Sequence, residues 1–319
     1  MIKYVAQRLV LALFTLLIIT LICFVLIRML PEPPLTPGDP HSDIIAAKRE
    51  AMGYNKPYLV QFGIFLKNVV TKWDWGISDN SYFYGKDVAK LFAERLPATM
   101  LVNLYSILLS IPIGIALGIW AALKKNTITD HLISTLTMVV ISVPSFVYAF
   151  LIQYILSYKL GWFPFLMDVE GTNLLTWKVF WSAIPAVLSL SFGVIAGFTR
   201  VTRAELTEVL TSEFMLLART KGLTRTQATI RHAMKNCMVV ILPSIFGEFI
   251  GIMSGSLIIE NIFAVPGVGG LYLNSITYQN YPIFTMMTVF YTAIGLLSGV
   301  IVDVSYGFID PRIRMGSKK

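Results

Sequence analysis

Charge is what this sequence has least of. Only 14% of its 319 residues are Asp, Glu, Lys or Arg, against about 25% in a soluble globular domain. That scarcity excludes an ordinary water-soluble fold. Cysteine is nearly absent: Cys23 and Cys237 fall on or beside different apolar runs, so no disulfide framework is built in. His41, His131 and His232 are scattered, without the spacing a metal site needs, and none is expected. The chain has no GxxxxGKS/T phosphate loop and no acid–base or nucleophile constellation. On its own it therefore cannot hydrolyse ATP or run the common enzyme chemistries. Internal repeats and low-complexity tracts are missing too.

Apolar length is what the sequence has in excess. Hydrophobic residues make up 55% of the chain, and its mean hydropathy is +0.69. Runs near the ~20 residues that cross a bilayer as a helix occur at about 9–30, 99–123, 132–159, 179–199, 238–260 and 285–307. The pattern predicts an all-α membrane protein with six transmembrane helices. Lys3 and Arg8 give the first run the look of a secretory signal, but it is too long, and "RMLPEPP" lacks a small-x-small cleavage site; it reads as a retained span. With the N-terminus inside, the inner segments hold 15 Lys and Arg and the outer ones 11, nine of them between Arg28 and Arg95 in or beside the long 31–97 loop. Long loops count little in the positive-inside rule, so the short loops decide for N-in and C-in. The net charge of +8 follows from this topology rather than from nucleic-acid binding. Pro112, Pro144 and Pro185 lie inside runs and predict kinks whose freed backbone groups neighbouring helices satisfy.

The organisation that follows is a transmembrane helix at 1–30, an extracytoplasmic helical loop at 31–97, a five-helix core at 98–310 and a cytoplasmic tail at 311–319. Within the loop, "PEPPLTPGDP" cannot propagate a helix. Ser42–Ala51 and Pro57–Lys72 read as short amphipathic helices, "DWGISDN" at 74–80 as turns, and Lys86–Arg95 as a helix entering the second span. The loop is open to two roles, a passive cap or a partner-binding surface. The outer segment 261–283 reads as a turn and a short amphipathic helix. Its "GVGG" at 267–270 follows no strand and is not a dinucleotide fingerprint.

The most informative stretch is "ARTKGLTRTQATIRHAMKN", Ala218–Asn236, inside a cytoplasmic segment at 200–237. Its cations are Arg219, Lys221, Arg225, Arg231 and Lys235, and it has no acid. Thr202–Glu205 and Thr224–Gln227 both have capping-box spacing. Ser212–Lys221 is predicted helical, with Gly222 as the left-handed residue that ends it. From Thr224 a second helix would put Ile230, Ala233, Met234 and Cys237 on one face, and Arg231 and Lys235 on another. Leu216, Leu217 and Ala218 would be exposed unless covered, an apolar knob ringed by positive charge, as docking sites are. Positive-inside topology alone explains the sign of the charge but not the glycine or the knob. A DNA-binding helix-turn-helix needs a free recognition helix, whereas this one merges into a span.

This stretch resembles the cytoplasmic signature of peptide-type ATP-binding-cassette importer permeases, a variant of that family's "EAA" loop. Gly222 matches the signature's glycine, and Leu216-Leu217-Ala218 stands where Glu-Ala-Ala is usual, as in the peptide subgroup. "PGDP" at 37–40, "DWGIS" at 74–78, "RLPAT" at 95–99, "ENIFAVPGVG" at 260–269, "NYP" at 280–282 and "DPRIR" at 310–314 extend the resemblance over almost the whole chain. Relatives often carry a proline where this chain has Val240, with Pro243 later, so the start of the fifth span differs here. The resemblance implies the type I importer permease fold and the B-type subunit of an oligopeptide or dipeptide importer in a bacterial inner membrane. Its implied partners are a sister permease, two cytoplasmic ATPases that hold ATP and Mg²⁺, an extracytoplasmic peptide-binding protein, the peptide and membrane lipid. No cofactor belongs to this chain itself.

Coupling to the ATPases is assigned to Glu213, Leu216, Leu217, Ala218, Arg219 and Lys221, to Gly222 and Leu223, and to Arg231, His232 and Asn236. Pathway or binding-protein contacts are assigned to Glu248, Glu260, Tyr278, Tyr281, Trp73 and Trp75. Glu248 and Asp303 are the acids inside the spans, Glu260 standing at the very end of its run. Two roles are open to Glu248, pairing with the sister permease or meeting a peptide amine. Asp303 matches the family's acid and reads as a structural salt bridge. Nickel or a glycan as cargo, or an ion-driven secondary transporter, which needs ionisable residues at mid-membrane, are the competing readings.

Overall fold

The protein is described by a computed structural model over residues 2–31, 42–78, 83–169 and 173–309. The "PGDP" stretch at 37–40, the end of "DWGISDN" at 79–80, the "DPRIR" stretch and the 311–319 tail lie outside the described residues. Among those described there is no strand, only an isolated antiparallel bridge between Ile77 and Asp87. An apolar chain in lipid has no water for its backbone polar groups, and a helix satisfies them internally.

The helices are α1 (Ile2–Arg28), α2 (Ser42–Ala51), α3 (Tyr58–Lys72), α4 (Val88–Leu123), α5 (Ile128–Ser142), α6 (Ser145–Ile152), α7 (Trp177–Leu210), α8 (Glu213–Thr220), α9 (Arg225–Ala228), α10 (Met234–Gly251), α11 (Leu257–Ile262), α12 (Val268–Thr277) and α13 (Tyr281–Ile309). A π-helical stretch continues α6 over Gln153–Lys159, and another joins α9 to α10 over Thr229–Ala233. Among the described residues, five helical stretches are each long and apolar enough to cross a membrane: α1, α4, α7, Thr226–Gly251 and α13.

Two predicted spans are interrupted. The 132–159 run is bent by 100° between Ser142 and Ser145. Pro144 disfavours helical backbone at the residue before it, and Val143 is extended at φ −88°, ψ 126°; the proline then opens α6 with its own φ preset. The 238–260 run stops at Gly251, and Ser256 caps a new helix, its hydroxyl accepting the Ile259 N–H at 3.3 Å. Glu260 therefore sits in the short α11 rather than in the fifth span. Hydropathy alone is blind to both breaks, because apolar residues continue across them.

The described residues form two compact units, one of residues 2–100 with 253–297, the other of 101–252 with 298–309. In the first, Phe24, Phe62, Phe65 and Trp75 pack with Val268, Leu271, Ile283 and Met287. Their rings tilt against one another, Phe24 and Phe65 at 5.1 Å and Phe65 and Trp75 edge-on at 5.9 Å between centroids. Such offset and edge geometries suit the ring quadrupoles.

In the second unit, Gly114 and Gly118 bring α4 against α7. An added Cβ at Gly114 would lie 2.7 Å from the Phe198 Cβ, and one at Gly118 2.6 Å from the Thr202 Cβ, so only glycine permits this approach of the two backbones. The Thr199 hydroxyl bonds the Gly114 carbonyl across the contact at 3.2 Å. Asp130, fully buried at the start of α5, takes both arms of the Arg203 guanidinium from α7, with Nη2 at 2.8 Å. The Asn126 N–H also donates to it at 2.9 Å. A bidentate fork of this kind fixes orientation as well as charge. The predicted capping box at Thr202–Glu205 is not one. Helix α7 runs unbroken to Leu210, so no free N–H waits at Thr202, and its side chain packs on Gly118 instead.

Candidate functional site

The segment predicted as the docking element, 200–237, lies in the second unit. Helix α7 ends at Leu210, and Thr211 and Ser212 turn their hydroxyls back onto the Glu208 and Val209 carbonyls at 2.9 and 2.5 Å. Helix α8 follows at once. It ends in a Schellman arrangement: the Gly222 N–H donates to the Arg219 carbonyl at 3.0 Å and the Leu223 N–H to the Ala218 carbonyl at 3.4 Å. Gly222 makes this possible at φ 88°, in the left-handed region that side chains disfavour. Thr224 and Gln227 then cap the next helix reciprocally, at 3.1 and 3.3 Å, which is a capping box.

The two faces of α8 differ. Met215 and Ala218, three residues apart, are buried with Leu206, Ala228, Ala233 and Cys237. Leu216 and Leu217 are 65% and 56% exposed, with Phe214 beside them and Glu213, Arg219 and Lys221 around them, also exposed. Ala218 is therefore an anchor and not part of the knob. Phe214 takes its place in the exposed face, at i−3 from Leu217, a neighbour that helical periodicity makes legible in the sequence.

Beyond the cap, Arg231, His232 and Asn236 are exposed and Leu223 is half-buried. The Asn236 amide donates to the His232 carbonyl at 3.1 Å. Of the face predicted to hold Ile230, Ala233, Met234 and Cys237, Ala233 and Cys237 are buried and Met234 is half-buried, but Ile230 points out, at 65% exposure. The π-helical turn Thr229–Ala233 is the cause. It adds a residue to the turn and rotates what precedes it out of α-helical register.

The residues assigned to the pathway and to the binding protein separate by burial. Trp73 and Tyr278 are exposed, whereas Trp75, Tyr281 and Glu260 are buried. Trp75 is held edge-on to Phe65, and the Tyr281 hydroxyl donates to the Pro31 carbonyl at 2.8 Å. Neither is exposed enough to anchor a partner protein, and Glu260 cannot reach one. Its carboxylate accepts from the Thr99 hydroxyl at 2.9 Å, the Gly269 N–H at 2.8 Å and the Ser256 N–H at 3.4 Å. Thr99 in turn accepts the Val268 N–H at 2.9 Å. Gly255, Gly267 and Gly269 crowd this carboxylate so closely that a Cβ at any of them would collide with it. The acid is a knot holding α11 and α12 to α4 at Thr99. Sequence could not pair residues so far apart. In the other unit, Glu248 on α10 is half-buried and lines a cavity with Gly193, Gly197 and Phe198 of α7.

Comparison with known proteins covers nearly the whole chain. Residues 114–315 match the family described as the binding-protein-dependent transport system inner membrane component. Residues 1–103 match the N-terminal part of the membrane component of the same transport systems. Among similar proteins, the dipeptide transport system permease protein DppB of Lactococcus lactis is 31% identical over 99% of this chain and all of its own length. The oligopeptide transport system permease protein OppB of Escherichia coli K12 is 33% identical over 98% of this chain and all of its own. OppB of Haemophilus influenzae is 30% identical over 98% of this chain and all of its own.

Proposed function

Since the chain belongs to the family of binding-protein-dependent transport system inner membrane components, we propose that it forms half of the translocation pathway of an ATP-driven peptide importer. It works in a bacterial inner membrane, with six spans and both termini inside, beside a sister permease. Two cytoplasmic ATPases hold ATP and Mg²⁺, and an extracytoplasmic binding protein delivers the peptide. The names of the relatives support peptide as the cargo class.

The observation that carries this reading is the exposed apolar face of α8, Phe214, Leu216 and Leu217, beside Arg219 and Lys221. Apolar side chains held out on a short, glycine-terminated helix are stable company for a protein groove, not for water. Met215 and Ala218 lock the opposite face into the core of this unit, so a force on α8 passes into α7 and α10. ATP-driven closure of the ATPases would pull on α8 and switch the bundle between inward-open and outward-open. In the other unit, the exposed aromatic side chains of Trp73 and Tyr278 are assigned to contact with the binding protein.

Two outcomes are expected. In cells with ATP held high, peptide uptake survives collapse of the membrane potential, whereas ATP depletion abolishes it. Uptake that collapses with the potential while ATP stays high would favour an ion-coupled transporter. The orientation is read by thiol labelling in a chain with Cys23 and Cys237 replaced by alanine. An impermeant reagent applied to intact cells labels Tyr278→Cys and not Thr226→Cys; labelling at Thr226 would reverse the topology.

A further inference from the structure

A small pocket lies where the last turn of α1, helix α2, the stretch around Trp75 and the first turn of α13 meet, all within one unit. Three cations line it, Arg28, Lys48 and Arg49. Lys48 is committed to Asp74, at 2.7 Å, whose carboxylate also accepts the Gly76 N–H at 2.9 Å. Burial pushes the Asp74 carboxyl up, but the Lys48 ammonium and that N–H outweigh it and hold it below its ordinary value. Asp74 is thus ionised and spent on Lys48.

Arg28 has no such acid among the described residues. Its guanidinium stacks 3.6 Å from the Tyr54 ring centroid and 5.1 Å from that of Phe24. Stacking engages the face of the guanidinium and leaves its in-plane N–H groups to find acceptors. Nη1 is buried and finds none among the described residues. Trp75, only 8% exposed, lines the same pocket, and its buried Nε1 likewise has no acceptor there. Buried donors almost always have partners. Two unmatched donors in one cationic pocket suit an anion.

We propose that this pocket takes a carboxylate, with Arg28 Nη1 and Trp75 Nε1 donating to its oxygens. Carboxylate fits better than phosphate because the cavity is only about 30 Å³, and a single water already needs about 10–15 Å³ on this measure. Room for about two water-sized groups matches the two oxygens of a carboxylate better than the four of a phosphate. A guanidinium fork also matches a carboxylate in geometry. The source we assign, the free C-terminus of a peptide, rests on the peptide-importer reading; the chemistry of the pocket does not.

The test is equilibrium dialysis of radiolabelled propionate and radiolabelled tri-alanine against the full chain in nonionic detergent. Both bind and compete with each other, and tri-alanine amide competes at least tenfold more weakly. Arg28→Gln weakens both at least tenfold, and so does Trp75→Phe, which keeps an aromatic ring against Phe65 but removes the N–H. The phenylalanine variant decides if the glutamine variant misfolds. Propionate binding that depends on Trp75 without competition from tri-alanine upholds the pocket and fails only the peptide as its source. Binding of neither ligand, or binding untouched by Trp75→Phe, overturns the proposal. Stronger competition by inorganic phosphate than by propionate overturns the carboxylate assignment.

Discussion

Peptide uptake is expected to fall at least tenfold when Gly222 becomes valine, with the chain still inserted at normal levels. Gly222 stands at φ 88°, and a Cβ added there would meet nothing within 4 Å. The cost is therefore purely that of the backbone. Left-handed backbone costs an L-residue roughly 1–2 kcal/mol, and a β-branched one is worst placed to adopt it. Relief comes by unwinding the Schellman cap and letting α8 swing. Tenfold in coupling needs only about 1.4 kcal/mol if that step limits the cycle. Gly222→Ala should sit between wild type and valine, because alanine enters this region less reluctantly.

Leu217→Asp reaches the same loss by another route, placing a charge in the exposed apolar face without touching the cap. Lys235→Ala, outside that face, should be mild. Uptake of a radiolabelled peptide, membrane level by immunoblot and co-purification of the ATPases read all three variants. If Gly222→Val and Leu217→Asp both transport normally, α8 is only a topological anchor, and the coupling role is wrong.

Glu260→Ala is expected to be the most destabilising single change in its unit. It strands the Thr99 hydroxyl and the Gly269 and Ser256 N–H groups, which now share one carboxylate. Each buried donor left without a partner costs about 1–3 kcal/mol, so the knot as a whole loses several. Glu260→Gln keeps the shape and one carbonyl acceptor but turns an NH₂ group towards N–H donors, and should fall between. Gly267→Ala attacks the same point from the other side, driving a methyl into the carboxylate and the Thr99 hydroxyl. Thermal unfolding in detergent is the measurement. The midpoint should drop by at least about 5 °C for the alanine variant, given a few degrees per kcal/mol in a chain this long. A Glu260→Ala midpoint equal to wild type would mean these bonds hold nothing together.

These residues also mark how far the sequence could be read. Gly222 was legible because its role is local: a helix stop, a glycine and a capping box lie within six residues. The spans were legible for a similar reason, since crossing a bilayer takes a run of apolar residues and nothing else. Trp73 and Trp75 were not separable. Two tryptophans one residue apart look alike in a list, and only the packing of Phe65 and Phe24 buries the second and leaves the first outside. Ile230 was misplaced because the count assumed an α-helical period through a turn that is π-helical.

Sequence alone thus determined the membrane class, the family resemblance and the cap at Gly222, each of which depends on composition or on neighbours within a turn or two. Tertiary structure alone decided which face of α8 is free, that Glu260 is a buried knot rather than a contact, and that Arg28 and Trp75 share a pocket. Those outcomes depend on residues distant in sequence coming into contact. Thr99 and Glu260, 161 positions apart, meet only after both helices have packed.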